Sequence, residues 1–287
     1  MLTLSFMLNE LNAALAGQVQ ELSPSLVTLV GRRVNATGTV WDSDGLVLTA
    51  NHNLPRKAQP RVLLNGGQEV TARVLGRDRA LDLALLKIEL DLPVPTWVDE
   101  GEDVGHLVLA LANPGQGVRA TWGLVSSTSD AWRTHGGGEV DRYIDVDGAL
   151  PRGFSGGPLV GSSGLLGLNT RGLVRGGTTL PTPTLRRVVQ DLQAHGRVKR
   201  GWLGIGARPV DAGLLVDFVA PNGPAERAGL LVGDIVQKVG AVDTVRFEDL
   251  RAVLNGQVGE AVELSILRGG EPKSVSVTIE EKTSRRC

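Results

Sequence analysis

Three side chains of this sequence are of the types that together activate a hydroxyl: His52 in LTANHNLP, Asp82 in RALDLALLK and Ser155 in PRGFSGGPLV. An imidazole can take the proton of a serine hydroxyl. A carboxylate fixes the imidazole tautomer and offsets the charge that forms, and backbone N–H groups receive the developing oxyanion. His52 follows an apolar run directly and sits among small and amide residues, whereas a core histidine would have apolar neighbours on both sides. Asp82 is flanked by leucines in a strand-like run, where a carboxylate is costly unless it is paired, and an imidazole N–H is a suitable partner. Ser155 stands among Gly153, Gly156 and Gly157, and a tight turn there would aim the Gly153 and Ser155 amides at one point, with Gly156 and Gly157 keeping bulk away from a substrate backbone. A serine among glycines is also what a plain surface turn contains. The three together carry more weight, because each supplies what the other two require.

The elements that must position these residues are mostly strands. Beyond Pro24, short runs rich in Val, Leu and Thr (SLVTLV, ATGTV, GLVLTA, EVTARVLG, VGHLVLALANPG) alternate with Gly, Asn, Asp and Pro, the texture of a barrel or sandwich. PTLRRVVQDLQAHG then switches to helical spacing through Leu185, Val188, Val189 and Leu192 and closes the domain at Gly196. A basic linker, 196–200, leads to a second unit, 201–281, which reads as strands with a short and a longer helix, followed by a tail, 282–287. The longer helix has the stripe Phe247, Leu250 and Leu254, with Arg251 beside it. This unit has no disulfide or metal staple and must rely on its apolar core. The first 22 residues place Leu8, Leu11, Leu15, Val19 and Leu22 on one side of a helix. They lack the layout of a secretory signal and are too broken to span a bilayer.

Composition narrows the function classes. Thirty Lys and Arg against 31 Asp and Glu leave a net charge of −1, so no overall field holds a nucleic acid or an acidic membrane. The one cysteine is Cys287, which rules out an intramolecular disulfide and a cysteine-based metal site. Asp42, Asp44, Asp141, Asp145 and Asp147 are spaced too loosely for a calcium loop, His52, His106, His135 and His195 show no paired ligand spacing, and Gly136–Gly138 lacks the residues of a phosphate loop. No cofactor and no metal is expected.

Five segments, LTANHNL, LDLALLK, TWGLVSS, DGALPRGFSGGPLVG and GLNT, followed by GWLGI and NGPAERAGLLVGDIVQKVG, resemble the HtrA/Deg family of trypsin-like serine proteases, with one PDZ domain behind the protease. The resemblance runs from about Leu22 to the end. It implies a mainly β fold: a chymotrypsin/trypsin-like double β-barrel of two six-stranded barrels over 23–195, then a PDZ domain. By motif, His52 is similar to the general base, Asp82 to the orienting aspartate and Ser155 to the nucleophile, and Gly153, Phe154 and Ser155 match the oxyanion loop. Asn169, Thr170, Arg171 and Gly172 fall in the stretch that lines the pocket for the residue before the cut, and the lack of an aspartate at its base implies a small or medium aliphatic side chain there. In the PDZ part, Trp202, Leu203, Gly204 and Ile205 resemble the loop that receives a peptide C-terminus, with the helix bearing Arg251 forming the other wall of the groove. The expected partners are unfolded proteins or peptides, peptide C-termini and two further copies of the chain in a homotrimer. Phe154 stands where the family has asparagine, and Ala112 begins ANP where the family has GNP, which implies a resting loop that needs reordering. The alternative is a catalytically silent chaperone or adaptor on the same folds. The family works mostly outside the cytoplasm, whereas the sequence as written reads as cytoplasmic.

Overall fold

A computed structural model describes residues 2–281 apart from 32–33 and 56–58, so the expected tail 282–287 lies outside the described residues. The chain divides into two compact units after Val198, inside the stretch 196–200 expected as the linker.

The first unit opens with α1 (Leu2–Leu22), which a tight turn at Ser23–Ser25 ends, with Pro24 inside it. Leu15, Val19 and Leu22 pack against Leu26, Leu109, Leu111, Val160 and Leu165. The stripe read over 8–22 is covered only in this half, for Leu8 and Leu11 remain 51% and 39% exposed, beside exposed Phe6 and Met7.

A seven-stranded sheet follows, made of β1 (Leu26–Val30), β2 (Ala36–Val40), β3 (Leu46–Ala50), β4 (Arg61–Leu63), β5 (Glu69–Thr71), β6 (Arg73–Asp78) and β7 (Leu83–Lys87) in the order β5-β4-β1-β2-β3-β7-β6. Its two edges, β5 and β6, are separated in the chain by Ala72 alone, so they must lie together and the sheet closes into a barrel. Ala72 is buried in the barrel core, its N–H donates to Pro60 O at 2.9 Å beside the β4–β5 pairing, and from Arg73 onward the chain pairs with β7 instead, so β5 and β6 count separately and the sheet has seven strands rather than the expected six. β3 is buried along its whole length because its two faces serve different cores: Val47 points into the barrel, and Leu46 and Leu48 point to the layer beneath it.

The second sheet has six strands, as expected. It is built from β8 (Leu107–Ala112), β9 (Arg119–Ser129), β12 (Tyr143–Val146), β13 (Pro158–Val160), β14 (Leu165–Thr170) and β15 (Thr178–Pro181), ordered β12-β9-β8-β13-β14-β15, with the hairpin β10 (Trp132–Arg133) and β11 (Glu139–Val140) between β9 and β12. Its edges β12 and β15 touch, which curls it into a second near-closed barrel. Phe154 lies inside this barrel, 2% exposed, among Val108, Ala110, Ile144, Leu159 and Leu166. The helix α2 (Thr182–His195) seals the layer between the barrels with Leu185, Val188, Val189 and Leu192 against Leu48, Leu83 and Leu168. Each such side chain contributes about 1.5–3 kcal/mol by leaving water.

The second unit contains β16 (Gly201–Trp202), β17 (Ile205–Val210), β18 (Gly213–Val219), α3 (Pro224–Arg227), β19 (Ile235–Val239), β20 (Val242–Asp243), α4 (Phe247–Gly256), β21 (Ala261–Arg268), β22 (Glu271–Thr278) and β23 (Glu280–Glu281). The sheet order β17-β18-β19-β21-β22 leaves β17 at an edge, and α4 packs beside it, with Leu250 and Leu254 in the core. Asp234 is buried and held by Arg268 through two bonds of 2.8 Å and by the Leu231 N–H at 2.8 Å. Burial pushes its pKa up, but the Arg268 and Leu231 hydrogen bonds outweigh burial and hold the carboxyl below its usual range.

Two outcomes follow from this packing. A carboxylate with a depressed folded pKa contributes stability above its unfolded pKa of about 3.9, and that contribution is lost as pH falls through the folded value. Arg268→Ala should therefore lower the urea midpoint of the second unit at neutral pH, with the difference from the unaltered chain closing in acid. Phe154→Ala should leave a cavity in the second barrel and cost about 3–5 kcal/mol in urea unfolding.

Candidate functional site

The end of β3 and the turn before β7 are joined by the Asn51 N–H, which donates to Asp82 O at 2.8 Å. A single tight turn over Asn51–Asn53 then carries His52 to the surface, its side chain 44% exposed. Asp82 stands one residue before β7 and not inside a strand, as its leucine neighbours had led one to expect. Its φ of 52° is in the left-handed region, which aspartate tolerates better than most residues. That backbone setting turns a buried carboxylate toward three donors. Oδ1 accepts the His52 backbone N–H at 3.0 Å, and Oδ2 lies 2.6 Å from His52 Nδ1 and accepts the Thr170 hydroxyl at 2.5 Å. The His52 pairing fixes the ring so that Nδ1 faces Asp82.

Ser155 is 4% exposed and follows the Pro151–Phe154 turn. Its carbonyl accepts from Asn53 Nδ2 at 2.9 Å, which ties the serine segment to the histidine turn. Its hydroxyl oxygen accepts the Arg171 N–H at 3.2 Å. No hydrogen bond joins it to His52 among the described residues, although both side chains line one cleft of about 940 Å³. Arg61, Arg152 and Arg171 lie on the walls of that cleft. The Gly153 carbonyl is turned inward to the Thr37 hydroxyl at 2.8 Å, while the Gly153 and Ser155 N–H groups have no protein acceptor among the described residues. The sequence motive offered for Gly156 is corrected here. A Cβ on it would stand 2.0 Å from Thr37 O, so this glycine serves the close approach of β2 to the serine segment rather than access for a substrate backbone.

The Asn169–Gly172 stretch divides between roles. Asn169 is fully buried, accepts from the Thr179 hydroxyl at 2.8 Å, and borders a separate cavity of about 500 Å³ together with Leu150, Arg175 and Thr178. Thr170 is not a pocket wall, since its hydroxyl serves Asp82 and in turn accepts the Gly172 N–H at 3.0 Å. Arg171 faces the cleft. Residues that sequence reasoning missed are buried threonines. Thr37 also accepts the Asn113 N–H at 2.9 Å, Thr39 donates to Gly156 O at 2.9 Å, and Thr49 donates to Thr37 O at 2.8 Å. Their signal was a hydroxyl recurring inside the otherwise apolar ATGTV and GLVLTA strands.

In the second unit Trp202 ends β16, Ile205 begins β17, and Leu203 and Gly204 form the turn between them. Leu203 O accepts the Ala225 N–H at 2.9 Å and Gly204 O the Ala220 N–H at 2.7 Å, so both carbonyls are occupied. The Leu203 and Gly204 N–H groups donate to no backbone carbonyl among the described residues. Gly204 has φ of 80°, and a Cβ there would meet Trp202 at 3.1 Å and Ala220 at 3.3 Å. Arg251 lies over the Phe247 ring at 4.8 Å on α4. Among the described residues no group of three or more His, Cys, Asp or Glu could hold a metal ion, and no helix is long and apolar enough to cross a membrane.

Comparison with known proteins places this geometry. Residues 36–166 match the trypsin-like peptidase domain model and residues 201–279 the PDZ domain model. A probable periplasmic serine endoprotease DegP-like of Brucella suis is 34% identical over 268 residues, covering 85% of this chain and 52% of that protein. The periplasmic pH-dependent serine endoprotease DegQ of Escherichia coli is 32% identical over 266 residues, covering 84% of this chain and 58% of that protein. The chain thus spans about half the length of the curated relatives it matches. Among solved structures, the serine endoprotease from Yersinia pestis superposes with a TM-score of 0.80 at 30% identity, covering 92% of this chain and 97% of that one. The HtrA-type protease AlgW with decapeptide gives 0.81 at 26% identity, covering 94% and 99%. With a trypsin-like domain followed by a PDZ domain in one chain, this protein belongs to the HtrA/Deg family of trypsin-like serine proteases.

Proposed function

We propose that the chain is a serine endopeptidase that cleaves unfolded or misfolded polypeptides, and that its second unit binds peptide C-termini for presentation or regulation. The observation that carries this reading is the 2.6 Å contact of His52 with a buried Asp82, beside a cleft that His52 shares with Ser155 and with two amides that have no acceptor among the described residues. Rotation of the Ser155 side chain away from the Arg171 N–H brings its oxygen toward His52 Nε2. His52 then accepts the hydroxyl proton as the oxygen attacks the scissile carbonyl, and Asp82 stabilises the imidazolium. The Gly153 and Ser155 N–H groups receive the oxyanion. His52 returns the proton to the leaving amine, and water releases the acyl group by the same route.

For the second unit, the Leu203 and Gly204 amides serve as donors to a terminal carboxylate, and the peptide adds as a strand along the free edge of β17. Homotrimer formation is part of this reading. Its support is the exposed apolar half of α1, Phe6 to Leu11, which another surface would stabilise by covering. A chaperone role is the second reading, favoured by the Ser155 hydroxyl resting on Arg171 instead of His52.

A fluorophosphonate probe separates the two, because labelling needs an activated Ser155 and a formed oxyanion loop. The unaltered chain should be labelled and should cleave casein, and Ser155→Ala should do neither while keeping its fold by circular dichroism. An unlabelled native chain would favour the chaperone. Gly204→Trp should weaken calorimetric binding of a peptide with an apolar C-terminal residue and reduce protein cleavage more than cleavage of a small chromogenic substrate. Unchanged peptide affinity would remove the carboxylate role from this turn.

A further inference from the structure

We infer that the cleft selects polypeptides carrying Asp or Glu beside the scissile bond, through the free guanidinium groups of Arg152 and Arg171. The inference rests on the reading that a polypeptide lies in the cleft, and it adds a charge preference to it.

Arg152 directly precedes Gly153, whose N–H is a proposed oxyanion donor, and the Arg171 N–H stands 3.2 Å from the Ser155 hydroxyl oxygen. Both arginines are therefore rooted next to the point of attack. Both are exposed, both line the cleft, and neither has a carboxylate partner among the described residues. Arg61, which also lines the cleft, differs in being paired with Glu69 at 2.8 Å. No Asp or Glu lines the cleft among the described residues. Asp82, bonded to the cleft residue His52, is buried and occupied by His52 and Thr170. Among the described residues, no lining carboxylate offsets the positive charge that Arg152 and Arg171 bring to the cleft. The cavity beside Asn169 is a separate space, so the charge preference concerns the residue after the cut and leaves an aliphatic side chain before it compatible with the pocket.

The test uses two peptides that share an aliphatic residue before the cleavage position and differ only by Glu or Gln immediately after it, both amidated at the C-terminus so that the second unit has no carboxylate to bind. Fluorescence anisotropy with the full-length Ser155→Ala chain at low salt should give roughly fivefold tighter binding of the Glu peptide, shrinking as salt is raised. The advantage should disappear when Arg152→Gln and Arg171→Gln are added, with circular dichroism verifying the fold. Equal or undetectable binding of both peptides overturns the inference, as does an advantage that survives the two arginine substitutions. Cleavage by the unaltered Ser155 chain is read in parallel. If the Glu peptide binds preferentially and neither peptide is cut, the peptidase reading falls and the charge selection stands.

Discussion

The carboxylate of Asp82 is the point on which the protease unit depends. It precedes β7 of the first barrel, and it is bonded to Thr170 at the end of β14 of the second, so the contact between the barrels and the orientation of His52 are one arrangement. Burying that charge and holding its backbone at φ of 52° are both unfavourable, the latter by about 1–3 kcal/mol. Three charge-assisted hydrogen bonds offset them, and a carboxylate so satisfied has little freedom to rotate. Loss of barrel packing would free the carboxylate, and loss of the carboxylate would leave the Thr170 hydroxyl and His52 N–H groups without their acceptor.

A second layer of the same logic holds the serine segment. Thr37, Thr39 and Thr49 sit on strands with no exposed residue, yet each hydroxyl has a backbone partner. Buried polar groups with every bond made rigidify their surroundings, and here Thr37 and Thr39 connect β2 to Gly153 and Gly156 on either side of Ser155, while Thr49 ties β3 to β2. The Gly153 carbonyl is fixed inward by Thr37, and among the described residues the Gly153 and Ser155 N–H groups have no protein acceptors. The first barrel thereby sets the position of a segment that belongs to the second.

The strand-rich texture, the closing helix and the chemistry-bearing side chains were legible in the sequence because each has a local mark. α2 has helical spacing and ends where Gly196 returns its N–H to Leu192. His52 follows a run of apolar residues that proves buried on both faces. What was not legible depends on distant contacts. The split of β5 from β6 comes where the chain changes its pairing partner from β4 to β7, and α1 is covered only where Leu15, Val19 and Leu22 meet the barrel. The diversion of Thr170 to Asp82 spans 88 residues of chain. Asp82 itself was misplaced into a strand because leucines flank it on both sides, a pattern that a buried turn shares with a buried strand.

Phe154 changes where a switch can be located. Its departure from asparagine suggested a resting loop set wrongly by a ring with no place to go, yet the ring fills the second barrel. Moving it would open a cavity and expose a large apolar surface, so it anchors the loop from within instead of disturbing it. A smaller movement is available next to it. The Ser155 hydroxyl rests on the Arg171 N–H and not on His52, although both side chains line one cleft. Arg171 is an exposed residue immediately after β14, so a chain occupying the cleft meets it before the chemistry begins. Its N–H belongs to the peptide unit of Thr170, so the contact that holds Ser155 is rooted at the end of the strand whose last hydroxyl is bonded to Asp82.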